Sequence, residues 1–215
     1  MIIDNFDAII FDLDGTLVDS MWLWKDIDIE YLARFGIEYN ENLQSEIEGK
    51  SFTETAIYFK DKFKITDSIE KIKDDWNEMA YSKYKEQVTL KDGVLTFLKL
   101  LKEKGKKIGI ATANSIELTR VCLDSLKITS LFDAIVTGSD IKLGKPAPDI
   151  YIENARRLNV MPQKCLVFED IPVGIMAGKN AGMKTCAVAD EYSKDMLKEK
   201  IELSDYYINN YNDLY

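Results

Sequence analysis

Short apolar segments alternate with longer amphipathic segments over most of the chain. The apolar segments are rich in Ile, Val and Ala and occupy residues 8–11, 108–111, 134–137, 166–168, 185–188 and 206–208. Runs of this length and composition are typical of parallel strands that are buried on both faces. Between them, apolar residues recur at helical spacing, as in Val94, Phe97, Leu98 and Leu101. This alternation predicts an α/β fold with a doubly wound parallel sheet.

The segment between the first two apolar runs departs from this alternation. Residues 20–88 contain no run that resembles a strand. They contain three amphipathic stripes, which run from Trp24 to Phe35, from Phe52 to Phe63 and from Ile69 to Met79. Such a connection is longer than a crossover between neighbouring strands requires. We therefore predict an α/β core domain formed by residues 1–19 and 89–215, with a helical cap domain inserted at residues 20–88.

The composition narrows the possible chemistry. The chain has no histidine, which excludes Ser-His-Asp catalysis and most zinc sites. Its formal net charge of −9 disfavours binding to nucleic acid. The three cysteines stand singly in apolar segments, as is typical of reduced cytosolic proteins. Because the sequence also shows no signal peptide and no membrane-spanning run, we expect a cytoplasmic protein that binds neither nucleic acid nor membranes.

The first apolar run ends in two carboxylates one residue apart, Asp12 and Asp14, followed by Gly15. Alternate residues of a strand share a face, so these carboxylates would lie together and repel each other. Mg²⁺ prefers oxygen ligands and would remove the conflict, whereas an ordinary acidic turn is the alternative interpretation. Gly15 permits a tight turn that moves Asp14 over the strand end. Because the insertion leaves directly after this pair, we expect the cap above the carboxyl edge of the sheet.

Polar residues follow the next two apolar runs at the same predicted edge, where open α/β sheets bind ligands. Thr112, Ala113 and Asn114 follow the second run. Their hydroxyl and N–H groups can hold an anion at a helix N-terminus, or simply cap that helix. Lys145 follows the third run and precedes a proline that restricts its backbone. It can hold a phosphate as a point charge, although a solvated loop lysine would show the same pattern.

A second acidic pair, Glu169 and Asp170, follows the fourth apolar run. Such a pair can bind a metal ion, or it can compensate the dipole of the next helix. Taken together, two acidic pairs, a hydroxyl and a lysine stand at the ends of four predicted strands. This combination favours a functional site over four independent structural features.

These residues together resemble the four motifs of the haloacid dehalogenase-like (HAD) superfamily. The matching positions are 12–16, 112, 145–146 and 169–170. The place of the insertion resembles subfamily I, the group of β-phosphoglucomutase and phosphoglycolate phosphatase. The resemblance covers essentially the whole chain. It implies a Rossmann-like core sheet with an inserted cap, Mg²⁺ as cofactor, and aspartyl-phosphate chemistry on a small phosphorylated metabolite.

The resemblance also implies roles for the acidic residues. Asp12 would be the nucleophile that takes the phosphoryl group, which fits a chain without histidine. Asp14 would be the general acid–base, and its backbone carbonyl would bind Mg²⁺. The implied metal ligands are Asp12, Asp14, Glu169 and Asp170, with Glu169 acting through a water molecule.

The remaining motif residues would hold the phosphate. By the same resemblance, Thr112 and the N–H groups of Ala113 and Asn114 would bind its oxygens. Lys145 would neutralise charge between the nucleophile and the phosphate. In phosphoryl transfer, such positioning and electrostatics supply most of the acceleration.

We therefore predict a Mg²⁺-dependent phosphatase, a phosphoric monoester hydrolase, that acts on a sugar or polyol phosphate. In the cap, Trp24 and Lys50 are the candidate substrate-binding residues. A core position for Trp24 and a solvated surface position for Lys50 are the alternatives. We expect a monomer or a weak dimer.

A sugar-phosphate mutase similar to β-phosphoglucomutase is the alternative function. The mutase pattern has an arginine where Phe52 aligns, a histidine where Trp24 aligns and a valine at Thr16. These differences favour hydrolysis. A phospho-accepting receiver domain is a third possibility that the sequence excludes, because its acidic pair would be adjacent and it would lack the helical insertion.

Overall fold

The computed structural model describes residues 1–214 of the chain. Its strands are β1 (Ala8–Phe11), β2 (Val18–Asp19), β3 (Thr89–Leu90), β4 (Lys107–Thr112), β5 (Ala134–Thr137), β6 (Cys165–Glu169), β7 (Lys184–Val188) and β8 (Tyr206–Ile208). Its α-helices are α1 (Met21–Ala33), α2 (Asn42–Ile47), α3 (Phe52–Phe63), α4 (Ile69–Glu86), α5 (Val94–Glu103), α6 (Ile116–Ser125), α7 (Asp149–Leu158), α8 (Pro172–Asn180) and α9 (Leu197–Leu203). Each apolar run noted in the sequence lies in a strand.

Within residues 1–214, six parallel strands form one sheet in the order β5-β4-β1-β6-β7-β8. The chain adds β4 and β5 on one side of β1, and then returns to add β6, β7 and β8 on the other. This reversal of direction makes a topological switch point beside β1, where ligands of such sheets bind. The predicted doubly wound α/β fold is confirmed.

Alternation along the strands divides the core between the two faces of the sheet. Ile9 and Phe11 belong to a cluster that includes Phe97 of α5, Phe168 of β6 and Tyr211. The rings of Phe11 and Phe168 stack with their centroids 5.0 Å apart. The neighbouring strand residues pack on the other face against α7 and α8. Both faces of the sheet are therefore covered, as its apolar strands require.

The inserted segment folds into helices α1–α4, and its core is aromatic. Trp76 of α4 lies at the centre, with its ring 4.9 Å from Phe59, 5.5 Å from Phe52 and 5.7 Å from Tyr31. Helix α4 also packs against α6 of the α/β core. Most aromatic residues of the cap therefore take part in its packing. The domain boundaries at residues 20–88 stay a prediction.

Three features of this segment differ from the pattern in the sequence. Helix α2 was not predicted, because its six residues are too few to show a helical period. Strands β2 and β3 pair antiparallel at the base of the cap, and two residues each leave no alternation to recognise. Phe35 does not continue the α1 stripe. It is 39% exposed, because the helix ends at Ala33 and Gly36 turns the chain with a φ of +69°.

We predict that Phe97→Ala lowers the free energy of unfolding by about 3–5 kcal/mol, because it removes a buried ring and leaves a cavity. Phe97 is fully buried and contacts the rings of Phe11, Phe168 and Tyr211. Leu95→Ala, on the exposed side of the same helix, is the control and should change this free energy by less than about 0.5 kcal/mol. Urea unfolding followed by circular dichroism measures both, and equal effects would contradict the described core.

Candidate active site

The site begins where β1 and β6 end side by side. These strands pair in a register that places Phe11 opposite Phe168, and the N–H of Asp12 donates to the carbonyl oxygen of Phe168 at 3.0 Å. The residues that follow are Asp12 on one strand and Glu169 and Asp170 on the other. Ordinary parallel pairing therefore brings Asp12, the first residue of one acidic pair, beside the second acidic pair.

Three buried carboxylates meet there around one ammonium group. Carboxylate oxygens of Asp12, Glu169 and Asp170 lie within 4.8 Å of one another. The Nζ of Lys145 donates to Asp12 Oδ1 at 2.6 Å and also to Glu169 Oε1. Tyr151 of α7 donates its hydroxyl to the same Glu169 oxygen at 2.5 Å. Lys145 is thus fixed between two carboxylates and is not a solvated loop lysine.

Asp170 provides one oxygen that the protein leaves unsatisfied. Thr16 donates to Asp170 Oδ1 at 2.9 Å, but Asp170 Oδ2 is buried and has no hydrogen-bond partner among the described residues. A Cβ at Gly15 would lie 2.4 Å from that oxygen, so this glycine leaves space beside it. A buried acceptor without a donor is rare, and here it lies among other carboxylates. The donor set fits a hard divalent cation such as Mg²⁺.

Burial and mutual repulsion act on these groups together. Burial raises the pKa of Asp12 well above its ordinary value; Lys145 opposes this shift, and the charges on Glu169 and Asp170 add to it. Burial also raises the pKa of Asp170, with the Glu169 carboxylate next in effect. For Lys145, burial opposes the charge, but Asp12 and Glu169 outweigh it and raise the pKa. One ammonium group is therefore too little positive charge for three buried carboxylates, and a divalent cation would supply the rest.

Asp14 has a different environment, although it is only two residues from Asp12. Its Oδ1 accepts hydrogen bonds from Ser20 Oγ at 2.6 Å and from the Tyr84 hydroxyl, and its Oδ2 accepts from Asn114 Nδ2 at 3.2 Å. Burial raises the pKa of Asp14, and these three hydrogen bonds oppose the shift. Its carboxylate is not part of the three-carboxylate cluster. The predicted coordination through its backbone carbonyl stays a prediction.

Tyr84 joins the cap to Asp14, and no pattern in the sequence indicates this contact. Its hydroxyl also accepts from Trp24 Nε1 at 3.0 Å and from Asn114 Nδ2 at 2.8 Å. Burial, and then the charge on Asp14, raise the pKa of Tyr84 well above its ordinary value, so the phenol keeps its proton. Trp24 and Tyr84 come from cap helices α1 and α4. The cap therefore holds Asp14 directly, through contacts that sequence spacing does not reveal.

The residues that follow β4 line the opposite side of the site. The buried Thr112 accepts at Oγ1 from the N–H of Asn114 at 3.1 Å. The carbonyl oxygen of Ala113 accepts from the N–H of Phe52 at 3.0 Å, which attaches the cap to this loop. The side chain of Asn114 donates to Asp14, whereas its backbone N–H donates to Thr112. The predicted phosphate-binding role of these residues stays a prediction.

A cavity of about 330 Å³ lies between the cap and the carboxyl edge of the sheet. All but one of the predicted site residues line it, namely Asp12, Asp14, Trp24, Lys50, Thr112, Ala113, Asn114, Lys145 and Asp170. Glu169 is the exception, since it is fully buried behind Lys145. Lys50 reaches the cavity from the cap loop, and its Nζ lies 5.7 Å from the centre of the Tyr58 ring. The volume suits a small molecule.

Two further residues support the loop that follows β6. Ser193 donates from Oγ to the carbonyl oxygen of Asp170 at 2.8 Å. The buried Lys200 donates to Ser193 Oγ at 2.8 Å and to the carbonyl oxygen of Val188 at 3.1 Å. Sequence reasoning missed both residues, because no motif surrounds them. They hold the loop after β6 from the side of β7.

This fold and site define an α/β protein with a cap over a candidate magnesium-binding centre. The family model described as "Haloacid dehalogenase-like hydrolase" matches residues 9–188. The chain belongs to this family, and the predicted membership is confirmed.

Relatives and solved structures agree with this result. A "Phosphorylated carbohydrates phosphatase" from Thermotoga maritima is 33% identical, and the match covers 83% of this chain and 82% of that protein. "Hexitol phosphatase B" from Escherichia coli is 27% identical over 84% of this chain and 82% of its own length. The crystal structure of a β-phosphoglucomutase from Clostridium difficile has a TM-score of 0.84 at 25% identity, covering 98% of this chain and 93% of that one.

Among residues 1–214, no helix has both the length and the apolar character needed to cross a bilayer. The cytoplasmic location and the monomeric or weakly dimeric state stay predictions.

We predict that Asp170→Asn lowers Mg²⁺ affinity at least about tenfold. The same change should raise the melting temperature of the metal-free protein, because it removes one of three mutually repelling buried carboxylates. Mg²⁺ should then stabilise the variant less than the wild type. Isothermal titration calorimetry and thermal unfolding with and without Mg²⁺ measure these effects. Glu202→Gln, on the exposed side of α9, is the control, and a wild-type Mg²⁺ response in Asp170→Asn would contradict the assignment.

Proposed function

We propose that this protein is a Mg²⁺-dependent phosphatase of sugar or polyol phosphates that works through a phosphorylated Asp12. The predicted enzyme class, a phosphoric monoester hydrolase, is confirmed by relatives that are phosphatases. One observation supports the mechanism above all others. Asp12 and Asp14 line the same cavity, yet Asp12 is paired with a lysine and Asp14 with neutral donors.

Asp12 is suited to be the nucleophile. The ammonium group of Lys145, at 2.6 Å, opposes the rise in the pKa of Asp12 that burial causes, as a bound Mg²⁺ also would, and it can attract a phosphate. In the first step an Asp12 carboxylate oxygen forms a bond to phosphorus, and the bond from phosphorus to the leaving oxygen breaks. Asp12, Asp170, the backbone carbonyl of Asp14 and, through water, Glu169 would hold Mg²⁺, which would supply positive charge to offset the negative charge of the phosphoryl group.

Asp14 is suited to move the proton. Burial raises its pKa, so it can carry a proton nearer to neutral pH than an exposed aspartate can. It gives this proton to the leaving alkoxide. In the second step Asp14 takes a proton from a water molecule as the water oxygen attacks phosphorus. The bond between phosphorus and Asp12 then breaks and releases inorganic phosphate.

The cap excludes water and selects the leaving group. Besides Tyr84 and Phe52, it is attached to the core by Asn77, whose Oδ1 accepts from Ser115 Oγ at 2.7 Å. Glu54 of the cap accepts from the N–H of Gly144, next to Lys145, at 3.4 Å. These contacts close the cap over the reacting groups, as phosphoryl transfer requires.

A sugar-phosphate mutase is the second candidate, because the β-phosphoglucomutase structure shares this fold. A mutase has to hold a second phosphate at the cap. Of the described residues that line the cavity, only Lys50 and Lys145 are cationic, and Lys145 is already paired with two carboxylates. Phe52 is buried between the rings of Trp24 and Trp76, 6.0 Å and 5.5 Å away, and presents an apolar surface. This surface favours hydrolysis.

We predict that Asp12→Asn lowers kcat at least about 10⁴-fold, because it removes the nucleophilic oxygen without changing the shape. Asp14→Asn should lower kcat by about 10²–10⁴-fold and allow a phosphorylated protein to accumulate. Steady-state phosphate release and intact-mass spectrometry measure these outcomes. Asp7→Asn, at the exposed opposite end of β1, is the control. Wild-type turnover by Asp12→Asn would refute the assignment.

Hydrolysis and isomerisation can be distinguished directly. We predict that β-glucose 1-phosphate, with catalytic glucose 1,6-bisphosphate present, yields free phosphate faster than glucose 6-phosphate. The reason is that, among the described residues, Lys50 is the one cationic side chain on the cap side of the cavity, where carboxylates of Asp28, Glu41 and Glu48 also lie. Phosphate release and a coupled assay for glucose 6-phosphate are followed in the same sample. Formation of glucose 6-phosphate well ahead of phosphate would establish a mutase instead.

A further inference from the structure

The cap wall of the cavity contains two acceptor groups that the protein does not satisfy. Asp28, on α1, is only 5% exposed, and its carboxylate has no hydrogen bond or ion pair with any residue in the described part of the chain. Gln44, on α2, has a side-chain oxygen that is buried and equally without a donor. Both residues line the cavity that Asp12 and Asp14 line. The motifs of the active site involve neither of them.

A buried carboxylate without a partner lowers the stability of the folded protein. Burial alone raises the pKa of Asp28 to about 7, since no positive group compensates it. Burial, and then the charge on Asp28, raise the pKa of the nearby Tyr39. A leucine or asparagine of similar size would remove this cost. A group that destabilises the free protein and faces a ligand cavity is typical of a binding residue.

The other charged groups of the same wall define what it can accept. The cavity-lining carboxylates of the cap are those of Asp28, Glu41 and Glu48; Glu41 is paired with Lys25 at 2.8 Å, and Lys50 is the one cationic cap residue that lines the cavity. A second phosphate or a carboxylate in the substrate would therefore lie beside the carboxyl groups of Asp28 and Glu48, with only Lys50 to offset them. A group that donates hydrogen bonds and carries no negative charge would satisfy both Asp28 and Gln44 Oε1.

We propose that Asp28 and Gln44 form a subsite that accepts hydrogen bonds from the hydroxyl groups of the substrate's unphosphorylated end. The subsite selects monophosphates of polyols or sugars and disfavours substrates with a second anionic group. This inference rests on the proposed phosphatase function and names the residues that set its specificity. Several acceptors spread along the wall match several hydroxyls better than they match a single ammonium group. A carboxyl that is only partly ionised at neutral pH also attracts an ammonium group less strongly.

The test compares Asp28→Asn and Asp28→Leu with the wild type on matched substrates. The panel contains a hexitol phosphate, glucose 6-phosphate, glucosamine 6-phosphate, 2-phosphoglycolate and fructose 1,6-bisphosphate, with p-nitrophenyl phosphate as a substrate without hydroxyls. We expect Asp28→Leu to lower kcat/KM for the hexitol phosphate by about 10–100-fold, as loss of a hydrogen bond to a charged group does. The value for p-nitrophenyl phosphate should stay within about twofold. Asp28→Asn should narrow the difference between the hexitol phosphate and the two doubly anionic substrates.

Gln44→Met should also lower kcat/KM for the hexitol phosphate, since it keeps the length of the side chain and removes its acceptor.

A second measurement, the melting temperature, distinguishes a binding role of Asp28 from a structural role. Both Asp28 variants should melt at a higher temperature than the wild type if the carboxylate serves a ligand, and at a lower temperature if it serves the fold. Glu30→Gln, on the exposed face of the same helix, is the control for both measurements and should change neither.

The outcomes distinguish this inference from the proposed function. If the wild type hydrolyses members of the panel and the Asp28 and Gln44 variants keep its substrate preference, the subsite is wrong and the phosphatase assignment stands. Preference for glucosamine 6-phosphate that Asp28→Asn abolishes would also overturn it, because the ligand group would then be an ammonium. If the wild type hydrolyses no phosphate ester in the presence of Mg²⁺, the proposed function itself fails.

Discussion

The burial of three carboxylates around one lysine is the constraint on which the rest of the site depends. Parallel pairing of β1 with β6 makes Asp12 and Glu169 neighbours, so the conflict is built into the register of the sheet. Lys145 resolves part of it by pairing with both. Thr16 donates to one oxygen of Asp170, and Tyr151 donates to the Glu169 oxygen that Lys145 also contacts. What is left is one buried oxygen of Asp170 and an excess of negative charge, which is the environment that binds a small divalent cation.

The same constraint separates the roles of two identical side chains. Asp12 lies at the lysine, and Asp14 lies beyond the strand end, where Gly15 turns the backbone with a φ of +80°. There the neutral donors Ser20, Tyr84 and Asn114 surround it. A carboxylate beside an ammonium group and a carboxylate held by neutral donors have the different environments that suit the proposed nucleophile and acid–base group. Because Tyr84 belongs to the cap, this separation depends on the cap being closed.

Sequence reasoning recovered the parts of the molecule that local pattern determines. All six strands of the main sheet and the long helices of the cap were predicted, because buried strands and amphipathic helices have their own periods. The residues at the strand ends were also recovered, since carboxyl ends of parallel strands share one edge. It missed α2, β2 and β3, which are too short to show a period. It also missed Tyr84, Tyr151 and Ser193, whose roles depend on contacts 18 to 70 residues away along the chain.

The two ends of the cavity differ in their chemical character. At the sheet edge, Lys145 and the three buried carboxylates provide groups that could hold a phosphoryl group together with a cation. At the cap wall, the Asp28 carboxylate and Gln44 Oε1 are hydrogen-bond acceptors without donors among the described residues. A molecule with a phosphate at one end and hydroxyls at the other would satisfy both regions in only one orientation. Binding of such a substrate would therefore satisfy the unpaired groups at both ends of the cavity at once. This would link the choice of substrate to the alignment of the reacting atoms.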